Sequence, residues 1–221
     1  MEIFIDTANV DEIKKYADIG IIDGVTTNPA LITKEGRDFK EVLTEICKIV
    51  DGPISAEVIS TTLNGMIDEA RAISKLHEKI VVKLPAIPEG FKALNVISRE
   101  RIKTNFTVVY STNQALLAAK LGATYVSPFV GRLDVNSTSG PNLIKEIVKV
   151  FRNYNFETKV LAASMRNSIY VKEAALAGAH VATIPPEILD QMMENELSSI
   201  ALEGFLDEWK KLPEEKRRYF K

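Results

Sequence analysis

Short runs dense in apolar and β-branched residues alternate along the whole chain with longer runs whose apolar positions recur every three or four residues. The short runs predict eight strands: EIFID (2–6), GVTT (24–27), ISAEVI (54–59), IVVKLP (80–85), KTNFTVV (103–109), TYVSPF (124–129), KVLAAS (159–164) and HVATIP (180–185). Their spacing of roughly 20 to 35 residues leaves room for one helix after each. In FKEVLTEICKIV, residues Phe39, Val42, Leu43, Ile46, Ile49 and Val50 share one helical face. GMIDEARAISKL does the same with Met66, Ile67, Ala70, Ile73 and Leu76. Asn9, three residues ahead of Glu12, has the form of a capping box that opens a helix just after the first strand. No Gly/Ser- or Pro-rich linker divides the chain, so the pattern predicts one α/β domain over 1–221, a single-domain (β/α)₈ TIM barrel. A doubly wound parallel sheet stays open as the alternative, because strand order is not visible in one sequence. The tail ALEGFLDEWKKLPEEKRRYFK predicts a last helix over about 198–211 with a stripe of Leu202, Phe205, Leu206 and Trp209. That stripe is expected to pack on the barrel or to serve a neighbouring subunit.

Composition narrows the function classes. With 28 Lys+Arg against 30 Asp+Glu the net charge is −2, which supplies no general pull toward nucleic acid or an anionic membrane. The one cysteine, Cys47, lies in an apolar helical run and reads as a buried thiol in a reducing compartment. The start, MEIFIDTANVDEIKK, carries acids where a signal peptide would carry Lys or Arg, and no run of ~18 apolar residues is present. A cytoplasmic protein without an anchor is expected.

Buried parallel strands usually read as unbroken apolar runs, so a charged residue inside one needs a reason. Asp6 ends EIFID, Glu57 sits within ISAEVI and Lys83 within IVVKLP, each toward the carboxyl end of its strand, where barrel active sites are built. A lysine buried between Val82 and Leu84 is a candidate for attack on a carbonyl, giving a Schiff base that acts as an electron sink for the adjacent carbon–carbon bond. Asp6 and Glu57 are then candidate proton carriers. The same three residues also suit a buried structural ion-pair network.

Arg132 in SPFVGRLD and Arg166 in AASMRNS follow strand candidates directly, with Ser127, Gly131 and Ser164 nearby. Each alone suits a surface salt bridge; as a pair in β–α loops they suit a phosphate dianion. His77 and His180 have no spaced partner of metal-site type, and no G-x-G-x-x-G or P-loop is present. Neither a metal site nor a nucleotide cofactor is expected.

The segments FIDTAN (4–9), GVTTNP (24–29), ISAEV (54–58), VVKLP (81–85), KTNFT (103–107), SPFVGR (127–132) and ASMRN (163–167) together resemble the small-subunit transaldolases. This class I aldolase family also includes fructose-6-phosphate aldolases. The resemblance runs in order over essentially the whole chain and implies a circularly permuted (β/α)₈ barrel with its Schiff-base lysine on the fourth strand. It implies Lys83 as that lysine, Asp6 as the acid/base, and Glu57 with Thr107 as holders of a catalytic water. By the same resemblance Asn28 and Asn105 bind substrate hydroxyls and the dihydroxyacetone unit, with Ser127 lining the region. Arg132, Ser164 and Arg166 match the phosphate site. The departures are Pro88, after Ala86 and Ile87, and NSTSGPN (136–142), after SPFVGRLD.

The implied reaction moves a dihydroxyacetone unit reversibly from sedoheptulose 7-phosphate or fructose 6-phosphate to an aldose phosphate, glyceraldehyde 3-phosphate or erythrose 4-phosphate, in the non-oxidative pentose phosphate pathway. Its partners are sugar phosphates and further copies of the chain, often a decamer built from pentamers. Two positions favour transfer over free cleavage: Glu57, where the aldolases carry Gln, and Phe129, where they carry Tyr. A fructose-6-phosphate aldolase is the alternative within the family. From another class, an isomerase or epimerase barrel would share the phosphate site without a covalent lysine, as would a sugar-phosphate binding protein.

Overall fold

The structure is a computed structural model that describes residues 1–133 and 140–217; the side chains at 132 and 133 lie outside that description. Eight parallel strands close into a barrel in chain order, β1 (Glu2–Asp6), β2 (Gly24–Thr26), β3 (Ile54–Glu57), β4 (Ile80–Pro85), β5 (Thr104–Val109), β6 (Tyr125–Pro128), β7 (Lys159–Ala162) and β8 (Val181–Ile184), with β8 returning to β1. Closure removes the doubly wound alternative. The strands end sooner than the apolar runs, with Thr27, Val58, Ile59 and Ser164 beyond them, because the chain turns away at the rim. Phe129 and Ala163 keep a single bridge past the ends of β6 and β7.

Between the strands run α1 (Val10–Ile19), α2 (Pro29–Glu35), α3 (Phe39–Ile49), α4 (Leu63–Ser74), α5 (Pro88–Arg99), α6 (Thr112–Lys120), α7 (Val130–Leu133), α8 (Gly140–Asn153) and α9 (Ser168–Ala177). After β8 come α10 (Pro186–Met193) and α11 (Glu196–Lys210). Asn9 caps α1 by accepting from the Glu12 amide at 3.0 Å. The reciprocal half of the expected box is rerouted: the Glu12 carboxylate accepts from Thr7 Oγ1, and Thr7 Oγ1 accepts from the Asn9 amide.

Alternation along each strand sorts the core into two regions. Ile5, Val25, Ile54, Val82, Leu84 and Phe106 pack outward with the buried faces of the helices, Val42, Leu43 and Ile46 of α3 among them. Phe4, Val81, Tyr125, Leu161 and Val181 fill the lower barrel interior, with the rings of Phe4 and Tyr125 edge to face at 6.1 Å. Gly24 makes this filling possible, since a Cβ there would lie 2.7 Å from the Phe4 ring.

α11 departs from the expected packing on the barrel. None of its residues is buried, and Leu197 and Phe205 are 75% and 72% exposed, with Ile200, Leu202 and Leu206 also open to solvent. Helical periodicity shows that an apolar face exists, not what covers it. Among the described residues no helix is long and apolar enough to cross a membrane.

Candidate active site

The upper half of the barrel is polar where the lower half is apolar. Strand register aligns the three charged positions: Asp6 stands opposite Thr26, and Glu57 opposite Lys83, which in turn faces Asn105. All lie at the carboxyl ends of β1, β3 and β4. Lys83 is 6% exposed. Its Nζ donates to the Thr27 carbonyl at 2.9 Å and pairs with Glu57 Oε2 at 3.1 Å. The flanking Val82 and Leu84 do not bury it, as the sequence suggested, because they point outward to the helices; the barrel interior does.

Asp6 accepts from Thr26 Oγ1 at 2.7 Å. Burial pushes its carboxyl above the ordinary value, an effect opposed by the Lys83 ammonium and the Thr26 hydrogen bond and reinforced by Glu187 and Glu57. Asn105 is held at both ends of its amide, donating to Ser55 Oγ at 3.1 Å and accepting from Ser127 Oγ at 2.6 Å. Asn28 lines the cavity and caps α2 through Oδ1, which accepts from the Leu31 amide, so the cap does not use its amide protons. Thr107 Oγ1 is buried without a hydrogen-bond partner. Just beyond it the β5–β6 register shifts, and Val108 takes φ 60°, a strained value for a β-branched residue.

These side chains enclose a cavity of about 180 Å³ lined by Asp6, Asn28, Lys83, Asn105, Thr107, Ser127, Phe129 and Ser164, together with Thr26 and Thr183. It is small beside the ~300–1,000 Å³ of sites that enclose a whole ligand. A few carbon atoms fit at Lys83, and anything longer reaches over the rim. Glu57 meets the cavity through Lys83. Phe129 stands at the rim with its ring edge to face against Tyr110 at 5.7 Å.

The three residues matched to phosphate divide. Ser164 lines the cavity in a left-handed backbone conformation, φ 62°. Arg166 is exposed at the rim, outside the cavity lining. Its stem lies over Gly131, where a Cβ would approach Arg166 Cγ to 2.8 Å and the Ser164 carbonyl to 2.4 Å. The glycine of SPFVGR thus makes room for the arginine of ASMRN. The Arg132 side chain and residues 136–139 of NSTSGPN lie outside the described residues.

Sequence reasoning missed Thr26, Thr27, Ser55 and Thr183. A signal was present: each is a hydroxyl in a β-type run, and Thr26, Ser55 and Thr183 fall on inward positions once the alternation is anchored on Asp6, Glu57 and Lys83.

Comparison with known proteins identifies the family. The family described as Transaldolase/Fructose-6-phosphate aldolase matches residues 3–219. A probable transaldolase of Caldicellulosiruptor saccharolyticus is 59% identical over 214 residues, covering 96% of this chain and 99% of that protein. One from Methanococcus maripaludis is 54% identical over 209 residues, covering 95% and 97%. The thiamine phosphate pyrophosphorylase structure from Pyrococcus furiosus shares the fold alone, with a TM-score of 0.56 at 15% identity over 83% of this chain and 85% of that one. On its fold, its motifs and its relatives, the chain belongs to the transaldolase/fructose-6-phosphate aldolase family.

Proposed function

We propose that the protein is a transaldolase that carries a dihydroxyacetone unit on Lys83 between ketose and aldose phosphates. The observation that carries this reading is the buried Lys83 ammonium, 3.1 Å from Glu57 in the cavity that Asp6 lines. Glu57 is an adjacent acceptor for the proton Lys83 must shed before it attacks C2 of the ketose. Loss of water from the carbinolamine gives the imine, and the unpartnered Thr107 hydroxyl suits a water shared with Glu57. Asp6 then takes the C4 hydroxyl proton. The C3–C4 electron pair flows into the imine, leaving an enamine on Lys83 and releasing the aldose phosphate. The reverse steps join the enamine to the acceptor. Asn28 and Asn105 hold the substrate hydroxyls, and Ser164, Arg166 and Arg132 the distal phosphate, which lies at the same end of donor and acceptor. The relatives named probable transaldolase support this assignment. A cytoplasmic setting in the pentose phosphate pathway belongs to the same reading, supported by the lone, buried Cys47.

Product analysis with fructose 6-phosphate, with and without erythrose 4-phosphate, tests the proposal. Rapid consumption is expected only with the acceptor; fast release of free dihydroxyacetone without it would make the protein an aldolase. Phe129 supports transfer because it brings no hydroxyl to protonate the enamine. Phe129→Tyr is therefore expected to raise acceptor-independent cleavage by about 100-fold, the low end of the range for one positioned proton donor. An unchanged rate would remove Phe129 as the determinant.

Self-association completes the proposal, with a second copy of the chain as the occupant of the α11 face. Leu202, Phe205 and Leu206 share one side of α11 and are open to solvent, an apolar stripe of the kind that marks an interaction surface. The helix lies inside residues 3–219, which the family matches, so it belongs to the part of the chain that the family shares. Truncation after Asn195 is expected to lower the number of subunits per particle, the mass from light scattering divided by the mass of the shortened chain. An unchanged subunit number would exclude α11 as the contact.

A further inference from the structure

Asp6 is held by a hydroxyl that is itself held by a second hydroxyl. Thr26 Oγ1 donates to Asp6 Oδ1 at 2.7 Å and lies 2.5 Å from Thr183 Oγ1. The two threonines come from β2 and β8, the strands on either side of β1, and each is 2% exposed. The Thr183 hydroxyl has no other hydrogen bond among the described residues. A hydroxyl has one proton to give. With the Thr26 proton directed to the carboxylate, the contact between the threonines requires Thr183 to donate and Thr26 to accept. The polarity of the chain is thereby fixed as Thr183 to Thr26 to Asp6 Oδ1.

Two consequences follow for the reaction. Oδ1 is occupied from the wall of the barrel, which leaves Oδ2 as the oxygen that receives the C4 hydroxyl proton. A hydroxyl that accepts a hydrogen bond also becomes a better donor, so Thr183 strengthens the hold of Thr26 on the ionised carboxylate. That matters because burial works against ionisation of Asp6, and only the ionised form can take a proton. We propose that Thr183 is a positioning residue for carbon–carbon bond cleavage: acting through Thr26, it fixes which oxygen of Asp6 faces the substrate and keeps that carboxylate ionised. The proposal rests on the assignment of Asp6 as the proton acceptor in the reading above. The other charged groups facing Asp6, Lys83 from β4, Glu57 from β3 and Glu187 from α10, stay in place when Thr183 is changed.

The test is Thr183→Val, which keeps the shape and removes the hydroxyl, beside Thr183→Ser, which keeps the hydroxyl. With fructose 6-phosphate and erythrose 4-phosphate, the valine variant is expected to lose about three- to tenfold in kcat and in first-turnover release of glyceraldehyde 3-phosphate, the effect of one hydrogen bond. KM should stay within about twofold, and borohydride should trap the imine on Lys83 at the wild-type rate, since neither depends on Asp6 basicity. The acid limb of kcat should move to higher pH, because a weaker hydrogen bond to the ionised form raises its pKa. Serine should restore both kcat and the limb. Should valine prevent folding, Thr183→Ala against Thr183→Ser gives the same comparison. A hydroxyl-free variant with wild-type kcat and acid limb overturns the proposal. So does a loss shared equally by imine trapping and left unrepaired by serine, which would mark Thr183 as packing. Wild-type protein that gives neither trapped adduct nor transfer would instead fail the reading of the site, and the role of the chain in catalysis with it.

Discussion

Arginine at position 83 is expected to leave the barrel folded and turnover reduced by at least ~10³-fold, because no other amine is placed to replace the nucleophile. Among the described residues, Lys83 is the one lysine lining the cavity. A guanidinium keeps the positive charge opposite Glu57 and so preserves the electrostatics of the pair, but it stays protonated throughout the accessible pH range and cannot attack a carbonyl. The comparison separates charge from nucleophilicity. The measurement is a coupled transfer assay, with mass spectrometry of the protein after borohydride treatment in fructose 6-phosphate. Wild type should gain a three-carbon adduct on the peptide containing residue 83, and the variant none. An adduct on another peptide would sink the assignment.

Asp6→Asn is expected to do two opposite things. Cleavage should slow by about 10²–10⁴-fold, the usual effect of removing a positioned proton acceptor, while imine trapping on Lys83 persists. The folded protein should become more heat-stable at neutral pH. Burial is the largest influence on this carboxyl and holds its folded-state pKa above the unfolded reference near 3.8. Between those two values the folded chain binds more protons than the unfolded one, so stability falls as pH rises through that window. Above it, the native state carries an ionised carboxylate in a buried site, and an amide of the same shape escapes that penalty while still accepting from Thr26. A rise in Tm of about 2–4 °C at pH 7, the shift produced by ~1 kcal/mol in a chain of this size, should shrink toward pH 4. An equal gain at both values would mean that the stabilisation is not ionic. The hydroxyl chain from Thr183 and the ammonium of Lys83 each oppose the penalty without cancelling it.

The fold was legible because each strand announces itself locally. IVVKLP and EIFID coincide with β4 and β1 residue for residue. Asp6, Glu57 and Lys83 were legible for the opposite reason, as charges that break the apolar pattern of a buried strand. Three kinds of information were not local. The hydroxyls of Thr26 and Thr183 are ordinary β-strand residues in sequence, and only closure of β8 onto β1 brings them within 2.5 Å of each other. The burial of Lys83 belongs to the barrel interior and not to its chain neighbours, a distinction that needs the inside and outside of the sheet. The stripe of α11 reads as a helix to be covered, yet the covering surface is not part of the same domain's core. Arg166 was picked out by its place after a strand, while the contact that accommodates it, across Gly131, comes from α7, more than thirty residues earlier in the chain.

The apolar packing of the lower barrel closes the cavity from below. Phe4, Val81, Tyr125, Leu161 and Val181 form its floor, each at most 5% exposed. Among the described residues, substrate, product and solvent therefore reach Lys83 from the rim. In the reaction proposed above, an aldose phosphate that enters while an enamine waits on Lys83 stands in the path by which bulk water would arrive to protonate it. Acceptor and water become rivals for the same passage, and the choice between passing the three-carbon unit on and losing it is set as much by traffic at the entrance as by the chemistry at the bottom.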